Sequence, residues 1–348
     1  MRLRVLPKEQ VLDMVRALMA DYRVWGPKAK GPQFAFEPLY DPAEMRLDYN
    51  ISILSPKGAL QPPQERIVVF HLDGGFTVEP VIEAEPTVIF GMHTCDLHAL
   101  ALLDRAFSAD FPDAHYLERR KQTLIISMEC LQPCDEHSFC KSMGTWTADS
   151  GYDLHLTDLG DAYAVHMSTE AGEALLTKYA QARPAADADV RRLNEVMSAK
   201  WPRFQHRLNF DAAELPALLA TAYDHPIWAE LGDRCLSCGA CTNVCPTCYC
   251  FNVIDSPDLS LREAVRLRRW DSCQLDEFAR VASGENFREA RAARQRHRMF
   301  RKGKWLYERF GEMGCVGCGR CIRACLTHIN IVDTFNAIHA SQHRRVAR

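Results

Sequence analysis

The chain has 348 residues, of which 47% are hydrophobic and 25% charged, with a formal net charge of -3 and 15 cysteines. That length supports two or three domains with a core that needs no metal as a staple. The near-balanced charge excludes a global attraction to nucleic acid or anionic membrane, and no apolar run reaches the roughly 18 residues of a membrane span.

The first helix signal is Glu9 to Tyr22. Asp13 and Arg16 interrupt its apolar stretch, and no twin-arginine pair precedes it, so it does not read as a signal peptide and the thiols are expected to be reduced, in the cytoplasm. Ile67 to His71 and Thr87 to Phe90 read as strands, with Asp73, Gly74 and Gly75 turning the chain between them. Asp96 to Phe107 follows with helical spacing, and Thr123 to Met128 reads as a third strand. Cys95 and Cys130 each lie where a strand ends, at the kind of crevice where α/β sheets bind ligands. Cys134 and Cys140 follow within ten residues of Cys130, so four thiols could converge; the competing reading is four ordinary buried cysteines.

From Glu170 to Ala222 the composition turns to Ala, Leu, Glu and Arg with helical periodicity, broken near Pro184, Pro202 and Pro216. The most specific signal comes next. Cys235, Cys238, Cys241 and Cys245 have the spacing C-x2-C-x2-C-x3-C, closed by Pro246, and Cys315, Cys318, Cys321 and Cys325 repeat it with Leu326 in place of the proline. Such runs wrap three iron corners of a cubane, while the fourth cysteine ligates the other cluster. The expected 4Fe-4S ligand sets are therefore Cys235, Cys238, Cys241 and Cys325 for the first centre, and Cys315, Cys318, Cys321 and Cys245 for the second. Structural zinc uses two separated C-x2-C pairs, and disulfide frameworks belong to short secreted chains, so neither accounts for the pattern.

Between the two runs, Arg262 to Arg269 and Gln274 to Val281 read as helical. The stretch from Phe287 to Trp305 is strongly basic, with Arg288, Arg291, Arg294, Arg296, Arg298, Arg301, Lys302 and Lys304. It reads either as a solvated helix face or as cations facing the second cluster or a partner, where positive charge would raise the potential of an anionic cubane. No G-x-G-x-x-G or G-x4-G-K-[ST] run occurs, so neither flavin nor nicotinamide is expected on this chain. The expected class is α+β: a mixed α/β domain at 1–165, a helical connecting segment at 166–225, and an α-helical two-cluster ferredoxin domain at 226–348.

The segments RLDYNISILSPK, FGMHTCDLHALALLD, HPIWAELGDRCLSCGACTNVCPTCYCFNVID, RRWDSCQ and EMGCVGCGRC resemble the beta subunits of cytoplasmic NAD(P)-linked nickel-iron hydrogenases, the sulfhydrogenases, and more distantly the equivalent relay subunit of anaerobic sulfite reductase. The resemblance covers nearly the whole chain. It implies an electron-relay subunit, without bond chemistry of its own, in a complex with a flavin and NAD(P)-binding gamma subunit, with a hydrogenase small subunit, and with a nickel-iron large subunit. It implies no nucleic-acid or membrane partner. It also implies a third 4Fe-4S cluster, because Cys95, Cys130 and Cys140 match family cysteines. Where the family tends to have C-F-C, this chain has Ser138, Phe139 and Cys140. Cys134 then stands as the fourth ligand, with Ser138 or His137 as alternatives; if none reaches, the site is a three-iron or labile cluster. Cys248, Cys250 and Cys273 match the family pattern without an assigned role: thiols that hydrogen-bond cluster sulfur, or an additional site. Direct reduction of polysulfide at an incompletely ligated third cluster, and zinc-dependent nucleic-acid binding through the basic stretch, are the readings from other classes.

Overall fold

The computed structural model describes residues 3–346. Twelve strands form two sheets among the described residues. In chain order they are β1 (Leu3–Pro7), β2 (Arg23–Lys30), β3 (Gln33–Pro38), β4 (Gln64–His71), β5 (Thr77–Pro80), β6 (Thr87–His93), β7 (Thr123–Met128), β8 (Leu154–Asp158), β9 (Ala162–Met167), β10 (Arg183–Pro184), β11 (Phe251–Pro257) and β12 (Glu263–Trp270). The larger sheet has the order β10-β1-β9-β8-β7-β6-β2-β3, and the smaller the order β11-β12-β4-β5. Both helices and sheets are well represented, as the α+β expectation requires.

The centre of the larger sheet is parallel, with β2, β6, β7 and β8 side by side. Parallel strands covered on both faces need apolar residues on both sides, and every residue of β6 is buried. Helix α1 (Val11–Leu18) packs on one face with Val11, Met14, Val15 and Leu18. The other face carries α2 (Thr94–Ser108) and α3 (Ala114–Lys121), where Leu97, Leu100, Leu103 and Tyr116 meet Ile89 and Ile125. β6 and β7 pair in parallel, with a register shift between Phe90 and Met92 that leaves His93 opposite Met128. Cys95 and Cys130, each two residues further on, therefore emerge together at the carboxyl edge of the sheet.

The smaller sheet corrects the sequence reading. Arg262 to Arg269, expected to be helical, is strand β12, and Gln274 to Val281 contains only a short 3-10 turn at Glu277–Ala279. Ala264, Val265 and Leu267 fit either period, and tertiary partners decide in favour of strand: β12 pairs with β11 on one side and with β4, some two hundred residues earlier, on the other. Charges fix the pairing as well. Arg266 lies opposite Asp255 and holds it with two hydrogen bonds of 2.7 and 2.8 Å, while buried Arg268 pairs with Glu65 and Asp113 from the amino-terminal region. The region after Cys245 is thus not purely helical. Nor is the segment from 166: β9 runs on to Met167, and β10 joins β1 at the sheet edge before the helices Asp187–Lys200 and Leu215–Ala220.

Helix Glu170–Tyr179 packs with α1 on the larger sheet, and the helices from Ile227 onward pack around the two cysteine runs. Two of them, Ile227–Arg234 and Arg291–Phe300, pack on each other, with Gly232 so close to Ala292 that an added Cβ would lie 2.6 Å from its backbone nitrogen. Their core holds Leu215, Leu219, Trp228, Phe300 and Phe335. No helix of the described residues is long and apolar enough to cross a membrane.

Candidate metal centres

Both cysteine runs adopt one backbone course. Ser237 and Gly317 occupy the same place in each run with φ of 55° and 65°, and Gly239 and Gly319 follow with 74° and 75°. These left-handed turns bend the chain so that successive cysteines face one centre, and a single helical turn, Ala240–Asn243 or Arg320–Arg323, then carries the chain to the fourth cysteine.

The crossed arrangement is visible in what lines each cavity. Cys235, Cys238, Cys241 and Cys325 line one, together with Gln274, Gln295 and Arg298, and the space between atoms there is about 420 Å³. Cys315, Cys318, Cys321 and Cys245 line a second of about 320 Å³, with Phe139, Arg298 and Lys302. In both, the fourth cysteine of one run has joined the first three of the other. Among the described residues, no group of three or more His, Cys, Asp or Glu gathers closely enough to hold one metal ion. A cubane binds its four thiolates at four different irons, so the lining sets suit a cluster in donor type and number.

Hydrogen bonds aim at these sulfurs. The Gln295 amide donates to Cys235 Sγ at 2.9 Å, the Ile329 backbone N–H to Cys325 Sγ at 3.2 Å, and the Thr247 hydroxyl lies 3.3 Å from Cys245 Sγ. The Lys302 ammonium donates to Thr247 Oγ1 at 2.5 Å. Burial pushes the thiols of Cys241 and Cys318 up to about 12. Burial acts the same way on Cys325, but Thr327, the Ile329 N–H and Arg298 offset it and leave the thiol below its ordinary value. Thiolates are the form that binds iron, so these donors and cations favour the ligating state.

Of the basic stretch, Arg294, Arg298 and Lys302 recur every fourth residue and are buried; Arg298 and Lys302 line the cavities and Arg294 pairs with Asp276, whereas Arg291 is exposed. The stretch is therefore not a uniformly solvated helix face.

The four amino-terminal cysteines also gather. Burial raises the Cys134 thiol well above its usual value and the nearby sulfurs of Cys130 and Cys140 raise it further; Cys140 itself is pushed to about 12 by burial, with Cys130 adding to it. Cys95 and Cys134 pack with Val316 and Cys318 of the second run. Ser138, by contrast, spends its hydroxyl on the Asp135 carbonyl at 2.8 Å, and the His137 ring lies 3.5 Å from Glu136. Cys134, packed in one cluster with Cys95, is the better placed of the candidate fourth donors. Its sulfur also lies 3.9 Å from His93 Nδ1, and the Thr94 hydroxyl donates to Cys130 Sγ at 3.7 Å.

The three unassigned cysteines divide. Cys248 hydrogen-bonds Cys245, which lowers the Cys245 thiol, and Cys250 pairs with Cys273 across the base of the β11–β12 hairpin. Sequence reasoning missed Lys57, a buried cation from the amino-terminal region that donates to the carbonyls of Cys245 and Cys248 at 3.0 and 2.5 Å and lies over Trp270. Its only local signal is the turn Ser55-Pro56-Lys57-Gly58, whose Ser55 caps a 3-10 helix. Arg320 was missed as well: buried, it grips Asp96 at 2.7 and 2.8 Å and the Ser52 carbonyl at 3.0 Å, joining the second run to the helix that begins beside Cys95.

Comparison with known proteins finds an iron-sulfur domain and a relative along nearly the whole chain. A family of 4Fe-4S dicluster domains matches residues 234–329. The chain is similar to sulfhydrogenase 2 subunit beta of Pyrococcus furiosus, at 32% identity over 337 residues, which cover 96% of this chain and 98% of that one. No solved structure matches.

Proposed function

The chain belongs to the sulfhydrogenase beta-subunit family, and from that premise we propose that it is the electron relay of a cytoplasmic nickel-iron hydrogenase complex, working through three 4Fe-4S clusters. Cys235, Cys238, Cys241 and Cys325 hold the first cluster. Cys315, Cys318, Cys321 and Cys245 hold the second. Cys95, Cys130, Cys134 and Cys140 hold the third. The observation that carries this reading is the exchange of Cys245 and Cys325 between the two cavity linings.

The clusters supply one-electron storage at potentials set by charge, burial and hydrogen bonds to sulfur. The chain's own residues do the rest. The left-handed turns at Ser237, Gly239, Gly317 and Gly319 orient the cysteines, Gln295 and Thr247 hydrogen-bond ligand sulfurs, and Phe139 and Val316 keep water from the second cavity. The relay order follows from shared borders. Arg298 lies between the first and second cavities, and Cys318 packs against Cys95 and Cys134, so the second cluster stands between the other two. Cys238 is exposed, as are Leu236 and Leu326 beside it, which makes the first cluster the port toward a partner. The partners are a flavin and NAD(P)-binding gamma subunit, a hydrogenase small subunit, and a nickel-iron large subunit; the hydride step takes place on the gamma subunit.

Iron and acid-labile sulfide analysis of anaerobically purified protein tests the reading. Equal amounts of both, sufficient for three cubanes, are expected, with one EPR component lost in Cys95→Ala and the rest intact. Zinc without sulfide would overturn it, and an unchanged iron content in Cys95→Ala would remove the third cluster.

A further inference from the structure

Arg298 differs from the buried arginines around it in having no carboxylate. Arg294 pairs with Asp276 at 2.6 Å and Arg320 with Asp96, while the buried ammonium of Lys302 rests on Thr247. Arg298 is only 4% exposed, its Nε has no hydrogen-bond partner, and its Nη1 approaches the Met299 sulfur at 3.8 Å. Among the described residues it forms no ion pair with Asp or Glu. A guanidinium buried without a counter-charge is costly, and such groups persist where something anionic completes the site.

The position of Arg298 identifies that anion. It is the one charged residue that lines both the Cys235–Cys325 cavity and the Cys315–Cys245 cavity, whereas Lys302 lines only the second. Burial opposes its charge, yet the sulfurs of Cys241, Cys321, Cys245 and Cys248 more than offset this and hold its pKa well above the ordinary value. Two of those sulfurs belong to different cavities: Cys241 lines the first and Cys321 the second.

We infer that Arg298 is the shared counter-cation of the first and second clusters: one guanidinium, fixed in charge, that raises both reduction potentials together. The inference rests on the relay reading above. Each cluster takes up one electron on reduction, which makes it more negative, and the adjacent cation stabilises that form in both places. Arg298 neither gains nor loses a proton in the process and touches no substrate, so it is a positioning residue for charge. One consequence is mutual tuning: a change at this side chain moves two centres at once.

EPR-monitored redox titration of the full-length holoprotein tests this, in wild type and in Arg298→Gln, Arg298→Lys, Lys302→Gln and Arg296→Gln. Arg298→Gln should shift the reduction equilibrium of two centres toward the oxidised form by about tenfold each, equivalent to about 59 mV for one electron. Lys302→Gln should move one of those two, which identifies it as the second cluster, and Arg296→Gln, on the opposite face of the helix, should move neither. Clusters present with only one potential shifted, or none, overturn the inference while leaving the relay intact; protein that never contains iron and sulfide refutes the relay itself. Should Arg298→Gln lose its clusters, Arg298→Lys decides. A lysine keeps the positive charge on a shorter side chain, so the two potentials should stay near their wild-type values or fall together, and a change confined to one of the two centres overturns the inference.

Discussion

The two cysteine runs have one spacing and one backbone course but opposite surroundings. The first lies at the surface: Cys238 is exposed, and Leu236, between Cys235 and Cys238, is 58% exposed. The second is enclosed by the amino-terminal region. Phe139 N–H donates to the Gly317 carbonyl at 2.7 Å, Thr145 Oγ1 to the Val316 carbonyl at 2.6 Å, and Arg323 pairs with Asp135. The same local motif therefore serves as a port in one place and as an interior link in the other, and residues between the cysteines make the difference. Where the first run has Ala240, the second has Arg320, which reaches Asp96. Where the first has Ser237, the second has Gly317, because a Cβ there would lie 2.7 Å from the Cys140 backbone.

The comparison can be broken most severely at the exchanged ligands. Cys245→Ser should cost the enclosed second cluster and Cys325→Ser the surface-exposed first, each read by iron content and by which EPR component survives. Loss of the cluster belonging to the mutated run's own first three cysteines, in both variants, would undo the crossed assignment.

Next in size is the tie between Arg320 and Asp96. Both side chains are 1% exposed, so Arg320→Leu leaves a carboxylate buried and unpaired. The expected loss is about 3–5 kcal/mol in denaturant unfolding. Ala240→Leu, at the matching position of the first run, should cost far less, and equal losses would mean that the enclosure of the second run does not depend on this pair.

Gly317→Ala should destabilise by about 2 kcal/mol or more, from the left-handed backbone and the approach of Cys140 together. Ser237→Ala, at the matching place, keeps a side chain that the site already accepts and should cost about 1 kcal/mol or less through loss of the Arg294 hydrogen bond of 3.0 Å. Chemical denaturation of the two variants gives both values.

The smallest effect concerns acid stability beside Cys130. Burial raises the Glu129 carboxyl, but His155 and Lys200 more than offset it and leave its pKa below the ordinary glutamate value. A group depressed in the folded state contributes stability above its unfolded pKa, near 4.5, that is lost as pH falls through the lower folded value. Unfolding free energy measured from neutral pH down to below 4 should decline less steeply in Glu129→Gln than in wild type; an unchanged acid slope would show that Glu129 carries none of it.

The legibility of the chain follows the reach of each interaction. Strands β6 and β7 and helix α2 are readable because their apolar patterns are local and long, and the convergence of Cys95 with Cys130 follows from two adjacent parallel strands ending in register. β12 misleads because a short run such as Ala264-Val265-Arg266-Leu267 carries either period until a partner is supplied, and that partner, β4, is remote in sequence. The strands β1, β8 and β9 escape a local reading for the same reason.

By itself, the sequence determined the chemistry: eight cysteines at fixed spacings define which short loops can wrap a cubane, since that geometry depends on a few neighbouring residues. Only the tertiary structure decided the environment of each centre. Lys57, Arg298 and Arg320 act across distances in the chain that no local pattern records, and whether a cation is solvated or buried against sulfur depends on how helices and loops from distant segments close over it.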